Sequence, residues 1–211
     1  MIKPDRIPFN DIRKRADDFR KSQCDNLCPV PIEDIIEFNL GIEIRPVAEM
    51  LKLTDIDALL SNDLKVIFVD KSLVENHRYL FRYRFALAHE VGHIVLHSEK
   101  IKSLKFSSTE EWISLRKKFN KDDLMWFENQ AMEFGGRLMV PHDQLLTNIM
   151  ELKPLIQKFF DSYPEGDPAT LAEYLSTGLN RYFEVSEEVL SRRILKEGIL
   201  NKIGFYNSKH D

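Results

Sequence analysis

The sequence predicts an α+β fold: a small, mostly antiparallel sheet, then a buried helix carrying three histidines, then a run of further helices. Three observations predict it. Residues 85–97 are apolar around most of a helical circumference. Short β-rich runs punctuated by turn residues lie ahead of them, between residues 42 and 69. Downstream, apolar positions recur at helical spacing almost throughout. With 211 residues, 43% apolar and 30% charged, the chain suits one large globular domain or a main domain with an appendage, and extensive disorder is disfavoured.

Taken from the start, residues 8–22 place Ile12, Ala16 and Phe19 at helical spacing among charges, an amphipathic helix covering part of the core. Pro29 and Pro31 close that segment, and residues 32–38 read as a second short helix. Gly41 breaks the pattern, and Ile42 and Ile44 begin a strand. Residues 58–60 and 65–69 supply two more, with Ser61, Asn62 and Asp63 as the turn between them. A short edge strand beside the following helix is suited to aligning an extended peptide by strand addition.

In that helix only a narrow strip, holding His89, His93 and His97, is polar. His89 and His93 are four residues apart, one above the other and about 6 Å apart along the axis. Two imidazoles so placed can grip one metal ion. Glu90 points about 100° away around the helix, where it is a poor ligand but can reach a water held by that metal. The pattern H-E-x-x-H therefore reads as zinc plus a general base. The bland alternative is a core helix whose histidines bond to backbone; a lone histidine would favour it, this triplet does not. Gly92 weakens the helix, which implies that something packs closely there. His97 lies about 12 Å of rise from His89, too far to share the ion. It is expected as a partner to a ligand, or as a ring suited to the helix C-terminal dipole.

Residues 98–123 are polar and charged apart from a few apolar positions, and read as a loop with a helix in its second half, bordering the site. The next helical segment, 124–140, carries Leu124, Phe127, Ala131, Phe134 and Leu138 on one arc. Glu128 falls inside that arc and Glu133 on the polar side. A carboxylate within a buried stripe needs a positive partner, and a metal ion would supply one, so Glu128 is the candidate third ligand. Asp122, Asp123, His142 and Asp143 are poorer alternatives.

Pro141 ends this helix and divides residues 1–141 from a helical region at 142–211. An apolar helical pattern spans 145–160, and two short helices follow at 169–175 and 186–197, with Ser186 as N-cap of the second. Such a pair can form a helix-turn-helix. Between residues 181 and 202 there are five basic and four acidic side chains, and the whole chain carries a net charge of −4, so direct nucleic-acid binding is disfavoured against packing or protein contact. Cys24 and Cys28 have no second pair to complete a thiolate zinc site and are expected as reduced thiols. Nothing resembles a secretory or membrane-spanning segment, and the expected location is cytoplasmic.

Residues 84–97 (Arg-Phe-Ala-Leu-Ala-His-Glu-Val-Gly-His-Ile-Val-Leu-His), Glu128-Asn129-Gln130-Ala131 through Phe134-Gly135 to Leu138-Met139-Val140-Pro141, and the ending from Leu171-Ala172 to Phe183-Glu184-Val185-Ser186 and Arg192-Arg193-Ile194-Leu195 together resemble the ImmA/IrrE family of metallopeptidases. The resemblance implies a zincin-like, gluzincin-type fold, with His89, His93 and Glu128 holding Zn2+ and Glu90 as catalytic acid/base. It also implies cleavage of a helix-turn-helix transcriptional repressor, which would switch on mobile-element or stress genes. Two departures are visible: Met132 and Gly135 stand near where the family usually has a small polar residue and an alanine, and the segment 98–127 is long. Hydrolysis of a peptide bond also needs a donor for the oxyanion, for which His97, His142 and Tyr83 are candidates. The competing reading is a zinc-containing module that regulates a transcription factor or DNA without proteolysis. The intact Glu90 favours the enzyme, because a purely structural site needs no acid between its histidines.

Overall fold

The computed structural model describes residues 3–106 and 108–203. The chain divides into two compact units, Met1–Leu138 and Met139–Asp211.

The first unit opens with α1 (Phe9–Gln23), which buries Ile12 and Ala16 as its periodicity predicts. A short helix α2 (Ile32–Asp34) runs into a wider turn over Ile35–Asn39. Then come β1 (Glu43–Val47), α3 (Met50–Thr54), β2 (Ala58–Leu60) and β3 (Val66–Asp70). The sheet order is β1-β3-β2. β2 runs antiparallel to β3, with Ala58 opposite Val69 and Leu60 opposite Ile67. β1 runs parallel to β3, from Glu43 opposite Val66 to Val47 opposite Asp70. The sheet is therefore mixed, where the sequence suggested a mostly antiparallel one. The turn at Ser61 joins β2 to β3 as a hairpin, but β1 reaches β3 only through a crossover containing α3 and β2, and a crossover allows parallel pairing.

Asp70 ends β3 and caps α4 (Lys71–Glu75). Its carboxylate accepts from Ser72 N at 2.8 Å and from Leu51 N at 2.7 Å, fastening α3 to the sheet. A single 3-10 turn leads into α5 (Leu80–Ser103), 24 residues long, so that residues 98–103, expected in a loop, continue the helix. α6 (Thr109–Arg116) is capped by Ser108, whose hydroxyl accepts from Glu111 N. α7 (Lys121–Met139) follows.

Two glycines set how α5 and α7 meet. A Cβ on Gly92 would lie 2.8 Å from the Ala131 carbonyl oxygen, and one on Gly135 would lie 3.1 Å from the Ala88 backbone. Gly92 thus has the close neighbour its helix cost implied. On the far side of α7, α1 lies over Glu133, which is buried despite its polar-side position and accepts from Arg13 Nε at 2.7 Å. Arg137 grips Asp17 with two hydrogen bonds, at 2.7 and 2.6 Å.

The second unit holds α8 (His142–Glu151), α9 (Lys153–Ser162), α10 (Pro168–Phe183), α11 (Glu187–Lys196) and α12 (Ile199–Lys202). The single helical pattern expected over residues 145–160 breaks at Leu152, because Pro154 cannot donate in a helix interior and instead sits in the first turn of α9. α10 is longer than the expected helix at 169–175, and Glu184 ends it in a left-handed conformation (φ 51°). Ser186 caps α11 as predicted, accepting from Val189 N at 3.3 Å. Among the described residues no helix is long and apolar enough to cross a membrane. Cys24 and Cys28 are not joined in a disulfide.

Candidate metal centre

The crossing of α5 and α7 brings three side chains to one point. His89 Nε2 lies 3.2 Å from Glu128 Oε2, His93 Nε2 lies 3.0 Å from His89 Nε2, and His93 Nε2 lies 3.6 Å from the same carboxylate oxygen. Four-coordinate zinc, with bonds of about 2.0–2.1 Å, separates neighbouring ligand atoms by roughly 3.3 Å. Two imidazole nitrogens facing each other at 3.0 Å cannot both carry a proton, and a shared cation would satisfy both lone pairs together with the carboxylate. His89 Nδ1 is buried without a partner among the described residues. The donor set, two imidazoles and one carboxylate within 4.8 Å of one another, fits a divalent metal of the zinc type.

Glu90 sits beside this cluster, buried, with Oε2 accepting from Leu60 N at 2.9 Å. The bond ties the H-E-x-x-H helix to the free edge of β2. Burial pushes the Glu90 carboxyl up from the usual carboxylate value. Glu128 behaves oppositely: burial opposes its charge, but the hydrogen bond from His89 and the nearness of the His93 ring hold it well below that value. His89 is raised, since Glu128 and Glu90 outweigh the burial that would lower it.

Of the three candidate donors, His97 lies behind His93, with Nδ1 3.0 Å from His93 Nδ1 and Nε2 2.9 Å from Gln130 Oε1. Burial, with His93 adding to it, pushes His97 down to about 3, so it is neutral. Tyr83 does not line the cavity at the site; burial and the nearby Glu33 and Glu37 push its hydroxyl up to about 12. His142 belongs to the second unit, where Nδ1 faces Glu197 at 3.0 Å and Nε2 faces Lys202 Nζ at 3.3 Å.

A cavity of about 390 Å³ opens onto His89, Glu90, His93 and Glu128. β2 forms one side; Phe106, Trp112 and Arg116 form another. Two guanidinium groups line it. Arg82 is held by Asp57 through two hydrogen bonds of 2.8 Å, while Arg116 Nη2 stands 3.7 Å from Glu128 Oε1, the carboxylate oxygen turned away from the histidines. Beneath the rings lies Phe127, its centroid 4.5 Å from that of His93 and 4.2 Å from that of His97.

Arg116, Gln130 and the Leu60 peptide are the site's neighbours that the sequence did not single out. Arg116 sits among other charges in a segment that reads as polar, and a backbone N–H leaves no mark in the sequence. Gln130 falls just outside the apolar arc of its helix, so its burial left no clear signal either.

The family model described as the IrrE N-terminal-like domain, a peptidase family, matches residues 40–195. No curated protein matches the sequence. Among solved structures, a Mycobacterium tuberculosis transcriptional regulator is similar, with a TM-score of 0.51 and 15% identity over 89% of this chain and 52% of that one. The likeness is one of fold, and this chain spans about half the length of that regulator.

Proposed function

Because the chain belongs to the peptidase family of the IrrE N-terminal-like domain, we propose that it is a zinc-dependent endopeptidase of zincin-like fold. The observation that carries this reading is the meeting of His89, His93 and Glu128 within 4.8 Å, beside a buried Glu90 on the wall of an open cavity. His89, His93 and Glu128 would hold the ion. Zinc bound there supplies Lewis acidity to water and to a peptide carbonyl.

Glu90 takes the proton from the attacking water and passes it to the leaving amine. Its carboxyl is raised by burial and accepts from Leu60 N–H, which suits it to taking up and releasing a proton. β2 receives the substrate as an added strand. Ser61 N bonds to Val66 O and Asp70 N to Asp57 O, so the peptide groups of Ala58 and Leu60 face away from β3. Leu60 N–H is taken by Glu90, which leaves the N–H and C=O of Ala58 and the C=O of Leu60 to meet the incoming chain.

A helix-turn-helix repressor is the proposed substrate, on the strength of the family resemblance. The structural neighbour named as a transcriptional regulator is in keeping with a regulatory setting. The experiment is Glu90→Gln tested against candidate repressors. Retained zinc with cleavage lost supports the peptidase; cleavage at the parent rate refutes the assigned role of Glu90. Unchanged biological output from the same variant would favour a zinc module that acts by binding.

A further inference from the structure

Behind the candidate ligands runs a line of hydrogen bonds whose direction is set by its far end. The Asp5 carbonyl oxygen can only accept, so Gln130 Nε2 donates to it, at 2.8 Å. That turns Gln130 Oε1 toward His97 Nε2, 2.9 Å away, and an amide oxygen also only accepts, so His97 carries its proton on Nε2. His97 Nδ1 is then a bare lone pair, 3.0 Å from His93 Nδ1, which must donate. With its proton on Nδ1, His93 presents Nε2 as a lone pair to His89 and Glu128.

We propose that Gln130, anchored by the N-terminal segment and acting through His97, is a positioning residue that fixes the ring orientation and the Nδ1–H tautomer of His93. The purpose of this relay rests on the zinc reading given above; the tautomer does not. Gln130 is fully buried, so no solvent competes for its amide. The segment that anchors it is itself fastened to α7: the Arg6 guanidinium lies 5.2 Å over the Trp126 ring and 3.5 Å from Asp123, and Phe9 stacks on Trp126 at 5.8 Å. Asp5 lies outside the residues that the family model matches, 40–195, so a part of the chain beyond the matched domain helps shape the centre.

The test combines histidine 15N NMR of the metal-free full chain with zinc affinity from chelator competition, for the parent, Gln130→Leu and Gln130→Glu. The parent is expected to show His93 protonated on Nδ1 and His97 on Nε2. Gln130→Glu keeps both, because a carboxylate also accepts from His97, although it gives up the bond to the Asp5 carbonyl. Gln130→Leu mixes the tautomers and weakens zinc binding about tenfold, within the range for losing an outer-shell partner. Parent His93 protonated on Nε2 overturns the proposal, as does Gln130→Leu with the parent's tautomers and affinity. A parent with the expected tautomers that binds no zinc refutes the zinc reading and leaves the relay standing. Should Gln130→Leu fail to fold, the spectra of the parent and Gln130→Glu still decide.

Discussion

Gly92 and Ala131 meet where α5 crosses α7, so closely that a Cβ on Gly92 would stand 2.8 Å from the Ala131 carbonyl oxygen. His89, His93 and Glu128 flank this crossing, and the spacing of the two helices therefore sets the spacing of the site. Gly92→Ala gains about 1 kcal/mol of helix preference, but crowding a backbone atom costs about 1–3 kcal/mol, because no side-chain rotation relieves it. The expected result is a lower Tm together with weaker zinc binding. An equal or higher Tm with unchanged zinc affinity would mean that the helices are not held at this distance.

Two glutamates five residues apart on α7 should respond differently to removal. Glu128→Ala takes away a donor atom and should weaken zinc by more than the roughly 100-fold that outer-shell changes reach. Glu133→Gln disturbs the pairing with Arg13 and should cost about 1–3 kcal/mol of stability while leaving zinc affinity as it was. Chelator competition and thermal unfolding on both variants distinguish them, and equal zinc loss in the two would contradict the placement of Glu128.

Asp70 gives a pH dependence of known sign. Burial opposes its charge, but the Ser72 hydroxyl and the N–H groups of Leu51 and Ser72 hold the carboxyl below its usual 3.8. A depressed folded-state value means that the unfolded chain binds the proton first. The contribution of Asp70 is therefore complete above about pH 4 and is lost as pH falls through the folded value. Asp70→Asn should be less stable at pH 7 by about 1–2 kcal/mol, and its difference from the parent should shrink below pH 4. A difference that stays constant from pH 7 to pH 2.5 would remove Asp70 from the acid response.

Local rules reached much of this molecule. The spacing of Ile12 and Ala16, the Ser61 turn, the Ser186 cap and the stop at Pro141 are each decided by neighbours in sequence, and the elements they mark are present. The wheel position of Glu128 led to the residue that meets His89 and His93 because burial of a carboxylate is a local contradiction that only a tertiary partner resolves. What stayed hidden depends on distant chain segments. Parallel pairing of β1 with β3 has no periodic signature, burial of Glu133 follows from where α1 lands, and Arg116 reaches Glu128 only because α6 forms a wall of the cavity. Proline effects were legible at Pro141 and missed at Pro154, where the apolar pattern runs on through a break in the helix.

The most direct measurement is zinc X-ray absorption on the full chain loaded with one equivalent, beside metal content for the parent and for His93→Ala. The account predicts one zinc per chain, ligated by two imidazoles and oxygen without sulfur, and lost from the variant. Sulfur in the coordination shell, which would point to Cys24 and Cys28, or no zinc retained by the parent, would contradict it.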